Sequence, residues 1–180
     1  MPEGLVAPVQ ERGVYFKPEE YAGFFRRLFI DIIDIVTAIL VWFCLASLAI
    51  VFTDERLAKA IVLLLFPTVW FSYFVLLKRS SIRTLGYKLG AARIVSLQGS
   101  HPGIPSLTLR FLFSVFGPLN FLFDLLWIPS DKHRQALRDK FAHTYVVRAD
   151  AKPAGHGRIV YCSYHVLGAS YLFQEVRPET

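Results

Sequence analysis

Two carboxylates sit inside the first long apolar run of this chain, and no other feature limits its fold as sharply. Residues 21–34 read YAGFFRRLFIDIID: Arg26 and Arg27 open the run 28–52, and Asp31 and Asp34 lie within it. On a helix Asp34 falls two turns from Arg27, within ~20° of the same face and about 10 Å deeper along the axis. Asp31 lies between them. An arginine at a membrane surface with acids stacked beneath it is either a structural ion-pair ladder or the mouth of a proton or ion path.

The membrane follows from composition. The 180 residues are 54% hydrophobic and 15% aromatic, with a mean hydropathy of +0.42, against ~45–50% apolar content in soluble domains. Three runs, 28–52, 60–77 and 111–128, approach the ~20 residues that cross a hydrocarbon core of about 30 Å. The first two read as spans. A signal peptide fits poorly, because its apolar region runs only ~7–15 residues and would not carry two aspartates. The net charge of +6 and pI near 9.5 fit cytoplasmic loops and anionic lipid headgroups rather than nucleic acid. Cys44 and Cys162 lack metal-ligand spacing, so neither a metal, a cofactor nor a disulfide is expected.

Residues 1–20, with Pro2, Pro8, Pro18, Gly4 and Gly13, read as an irregular lead-in. Tyr21, Phe24 and Phe25 form an aromatic belt where the first helix enters the headgroup layer. The short, charge-balanced turn 53–59 makes the first two helices an antiparallel hairpin. Pro67 kinks the second, with Thr68 and Ser72 near the freed carbonyl. Residues 78–105 carry Lys78, Arg79, Arg83, Lys88 and Arg93 and no acid, which marks them and the N-terminus as cytoplasmic in a multi-pass cell-membrane protein. Gly86 and Gly90 read as turn glycines, and 92–97 as a strand.

The third run has Arg110 at its start, Gly117-Pro118 at its middle, Asn120 beside them and Asp124 near its end. That is a broken helix. A kinked full span would leave the basic residues 132–148 outside, against the charge rule. The expectation is that it enters the bilayer and turns back at Gly117-Pro118. Residues 143–148 then meet 92–97 as strands, and 158–167 with 171–176 form a hairpin.

Residues 21–28 with Asp34, then Leu137–Val147 (LRDKFAHTYVV), resemble the RDD family of membrane proteins, named for one arginine and two aspartates. By position Arg27 matches the arginine and Asp34 and Asp139 the aspartates. Thr84–Gly90 followed by Arg93-Ile94-Val95 resembles the family's middle signature. Arg138 stands where the family usually has histidine, His143 where glycine is common, and Asp31 is an extra acid. The resemblance implies either cation/proton exchange, proposed for some members, or a scaffold role in a membrane complex.

The expected fold is an all-α membrane protein with two antiparallel transmembrane helices, a third broken transmembrane or re-entrant helix, and a small cytoplasmic β element. Its parts are the lead-in 1–20, an RDD-like domain 21–148 and a tail 149–180. An unpaired carboxylate at mid-membrane costs ~2.5–3.5 kcal/mol, so Asp34 needs a partner. Arg27 reaches Asp31 at one turn, Arg110 is the cation proposed for Asp34, and Asp139 closes on Arg27 or Arg26. Asp124 is the further acid near the bilayer. No G-x-S-x-G, H-E-x-x-H, P-loop or C-x-x-C is present, so catalysis is not expected. Two functions stay open: a structural adaptor acting with a second copy or other membrane proteins, and cation/proton exchange through Asp34.

Overall fold

A computed structural model describes residues 5–115, 127–166 and 169–178. Helix α1 spans Phe24–Phe52 and α2 spans Glu55–Phe71, continuing as a π-helical turn over Ser72–Leu77. Asp54 caps α2, its Oδ1 accepting from the amides of Arg56 and Leu57 at 3.1 Å each. This cap reverses the chain within two residues and folds α1 and α2 into a hairpin. The α2 helix carries on through Pro67, where the Thr68 hydroxyl donates to the Leu64 carbonyl at 2.7 Å.

The hairpin is inside-out compared with a soluble bundle. On α1 the buried positions are Arg27, Ile30, Asp31, Asp34, Ala38, Ala46 and Ala49, while Phe29, Ile32, Val36, Leu40 and Phe43 face outward. Large apolar side chains outside and small or charged ones inside suit an apolar solvent. At 29 and 23 residues, both helices are long enough to cross a bilayer.

The two long helices are as expected, but the β content, two sheets, does not confirm an all-α fold. Strand β1 (Leu5–Tyr15) pairs antiparallel with β4 (Gly155–Val166), which pairs with β5 (Ala169–Pro178), giving the order β1-β4-β5. Residues 5–15 are therefore a strand and not an irregular lead-in. Their prolines and glycine hid it: β1 is an edge strand, where Pro8 costs no ladder bond, and its register shifts on both sides of Pro8.

A second ribbon joins β2 (Ala92–Ser96) to β3 (Thr144–Arg148) in antiparallel register. It lies between the helices and the sheet, buried on both faces by period-two alternation. Val95, Leu97, Tyr145 and Val147 pack with Val14, Ile159 and Val176 of the sheet. Ala92, Ile94 and Val146 pack with Ile30, Val75 and Leu107 of the helices. The two faces of one ribbon thus join the three-stranded sheet to the helical hairpin.

The third helix, α4, spans Ile104–Val115 and starts earlier than the apolar run suggests, with Pro105 in its first turn. Arg110 consequently lies inside the helix and not at its start. Gly117, Pro118, Asn120 and Asp124, which carry the expected turn-back, lie outside the described residues.

Helix α3 (Leu85–Leu89) packs against α1. Gly90 lies in the turn that ends α3 whereas Gly86 lies inside the helix, and both are contact points: a Cβ on Gly86 would sit 2.3 Å from the Ile30 carbonyl oxygen and 2.6 Å from Asp34 Oδ1. On Gly90 it would meet the Ile30 side chain at 2.4 Å. Backbone cannot retreat as a side chain can, so Gly86→Ala is expected to cost about 1–3 kcal/mol and Gly90→Ala less. Thermal unfolding of the two purified variants should rank them in that order; equal melting temperatures would contradict this packing.

Candidate functional site: a buried charge network

Asp139, in the first turn of helix α5 (Leu137–Phe141), is fully buried. Its Oδ2 accepts from Arg27 and from the Ala136 amide at 3.2 Å, and its Oδ1 accepts from Arg110. One carboxylate therefore caps its own helix and holds α1 and α4 together. Burial alone would raise the Asp139 carboxyl, but Arg110 and Arg27 more than reverse this and hold it at about 2.

Arg27 has its other two nitrogens engaged as well. Arg27 Nε donates to the Ala22 carbonyl at 2.9 Å and its Nη2 to the Arg134 carbonyl at 2.7 Å. Arg110 also donates to Thr144 Oγ1 at 2.7 Å. Arg27 does not pair with Asp31, because side chains on a helix lean toward its N-terminus and this one folds back onto the preceding loop. Asp31 instead accepts from Arg138 at 2.5 Å.

Arg110 is likewise not the partner of Asp34. Asp34, the deeper of the two acids on α1, accepts from Tyr73 Oη at 3.1 Å, Thr84 Oγ1 at 2.8 Å and the Gly86 amide at 2.8 Å. Its cation is Lys78, whose Nζ lies 3.6 Å away and over the rings of Phe74 and Tyr87 at 4.8 and 5.1 Å. The π-helical turn makes this possible. Five positions apart on an α-helix, Tyr73 and Lys78 would point about 140° from each other, whereas a turn closed by i→i+5 bonds brings them to one face.

The site residues Arg27, Arg110 and Asp139 are thus brought together, Asp31 and Asp34 take separate cations, and Asp124 lies outside the described residues. Sequence reasoning missed Lys78, Tyr73, Thr84 and the pairing role of Arg138. Lys78 was hidden by its place at the head of a basic segment, which reads as solvated.

A family model, the RDD family, matches residues 21–143. The chain belongs to the RDD family. No curated protein and no solved structure matches it. Family membership and the two long apolar helices together indicate a membrane protein. The matched range ends before β3, so it leaves out β4 and β5 and, at the other end, β1.

A second buried cluster fastens these outer strands to the RDD segment. Lys140 lies 2.6 Å from Asp131 Oδ1 and 2.8 Å from Glu175 Oε1, and its Nζ stands 4.5 Å over the Tyr164 ring. Tyr164 in β4 also hydrogen-bonds Glu175 in β5. Burial raises the Glu175 carboxyl, and Lys140 more than offsets it, leaving the group below the usual carboxylate range.

Asp31 and Arg138, both departures from the RDD pattern, are each other's partner. Arg138→His leaves the buried Asp31 carboxylate without its cation, a loss of about 3–5 kcal/mol, and Asp31→Asn removes the carboxylate that Arg138 meets at 2.5 Å. The double variant removes both and should lose about 1–3 kcal/mol less than the sum of the singles. Thermal unfolding of all four proteins measures this coupling, and strictly additive losses would show that the pair is not a unit.

Proposed function

We propose that this RDD protein is a structural adaptor in the cell membrane. The node of Arg27, Asp139 and Arg110 locks the hairpin to the β layers, and the sheet β1-β4-β5 is the face offered to other membrane proteins or a second copy. The observation that carries this reading is the saturation of Asp34: three donors and Lys78 already surround it. A carboxylate so filled has little left for a travelling cation. Paired broken helices of the kind transporters use are also absent among the described residues. No catalytic role is assigned.

In this reading residues 78–105 are cytoplasmic by the excess of Lys and Arg. The pairing of β2 with β3, and of β1 with β4, supports a reading in which both termini share that side. In a Cys44→Ala, Cys162→Ala background, an impermeant maleimide on intact cells is expected to label Arg56→Cys but Arg177→Cys only after lysis. Labelling of Arg177→Cys without lysis would overturn the orientation.

A second reading, cation/proton exchange, is favoured by one observation: an acid and an amine, Asp34 and Lys78, are buried together at 3.6 Å within the hairpin. The two readings separate in liposomes carrying a pH gradient. An adaptor gives no sodium- or potassium-dependent dye response, with Asp34→Asn equal to wild type. Arg27→Ala should instead lose folded protein from the membrane, at a cost of about 3–5 kcal/mol. A cation-dependent response abolished by Asp34→Asn would replace the adaptor with an exchanger.

A further inference from the structure

Where α1 enters the membrane, a surface cleft of about 260 Å³ is lined by Arg26, Arg134 and Arg148 together with Gly23, Phe25 and Glu19. Three arginines from distant parts of the sequence line it together. Arg26 neighbours Arg27 on α1. The backbone of Arg134 is tied down by Arg27, which donates to its carbonyl at 2.7 Å, and its Nη1 lies 3.5 Å from where a Gly23 Cβ would be. Arg148 ends β3, and the backbone of Tyr21 and Ala22 bonds to that strand at Val147 and Val146.

The cleft has an excess of positive charge. Among the described residues, the guanidinium groups of Arg26 and Arg134 make no hydrogen bond and no ion pair. Arg148 meets Asp150 at 3.3 Å, but both side chains are largely exposed, so the pair contributes little. Glu19 is the single acid in the lining. Planar guanidinium groups suit phosphate oxygens, which they bind in pairs.

Its level in the membrane selects the kind of phosphate. Phe25 beside the cleft is 82% exposed, and Phe29 and Ile32 continue its exposed stripe down α1. Positions i, i+4 and i+7 share one helix face, so an apolar track leads from the cleft into the bilayer. We propose that the cleft binds the headgroup of one anionic phospholipid, with the three arginines on its phosphate and its acyl chains along Phe25, Phe29 and Ile32. The site differs from the general attraction of the basic segment 78–105 because it rests on three arginines that line one cleft.

The test uses the full chain in phosphatidylcholine nanodiscs with spin-labelled phosphatidylglycerol or spin-labelled phosphatidylcholine, and reads the motionally restricted fraction of each by electron paramagnetic resonance. Wild type should restrict phosphatidylglycerol preferentially, and Arg134→Gln and Arg148→Gln should each cut that preference by about fivefold, the effect of one arginine near a lipid surface. Arg79→Gln, exposed and outside the cleft, should leave it unchanged. Melting temperatures identify any variant that fails to fold, and Arg26→Gln then takes its place. No preference in wild type, or an equal loss in Arg79→Gln, would overturn the site. Glycerol 3-phosphate that displaces the restricted lipid at millimolar concentration would identify a soluble phosphate as the ligand and overturn the lipid proposal.

Discussion

A buried carboxylate between two arginines is the joint on which this structure turns. Asp139 holds Arg27 of α1 and Arg110 of α4 while capping α5. None of the three charges would be tolerable alone at this depth. Their mutual need fixes the distance between α1, α4 and α5. It also fixes the ribbon, since Thr144 at the start of β3 accepts from the same Arg110.

From that joint the other charges are ordered by depth. Asp31 lies one turn further in and takes Arg138, and Asp34 lies deeper still and takes Lys78. Each acid of α1 reaches a different element, so the face that looks like a ladder within one helix is a set of rungs between helices. The small residues continue it: Ala38, Ala46 and Ala49 bury the rest of that face by close approach. Charge holds the β-side half of the hairpin, and close packing holds the far half.

The legible parts were those with a local period or a local cost. The two long helices, the strands 92–97 and 143–148 and the tail hairpin follow from apolar runs and alternation. The importance of Arg27, Asp34 and Asp139 followed from the cost of charge in an apolar run and from the RDD resemblance. Partner assignments were not legible, because they depend on where a helix starts and how it winds. Arg110 was matched to Asp34 because the apolar run was taken to begin at 111, whereas α4 begins at Ile104. Lys78 was overlooked because only a π-helical turn puts it on one face with Tyr73. Strand β1 was hidden because an edge strand tolerates the proline and glycine that ordinarily argue against one.

The departures from the RDD pattern carry information of their own. A cation where histidine is usual and an additional acid on α1 look, one at a time, like two weakened features. Joined at 2.5 Å, they are one ion pair. Low-dielectric surroundings enforce this, because a buried charge gained without its partner costs several kcal/mol, while the pair costs far less. His143 belongs to a different kind. It adopts φ +53° where glycine is common, a conformation that costs an L residue roughly 1–2 kcal/mol, and its amide and carbonyl still bond Lys140 and Leu97. The turn between α5 and β3 keeps its geometry there because the register of β3 against β2 and the position of Asp139 both depend on it.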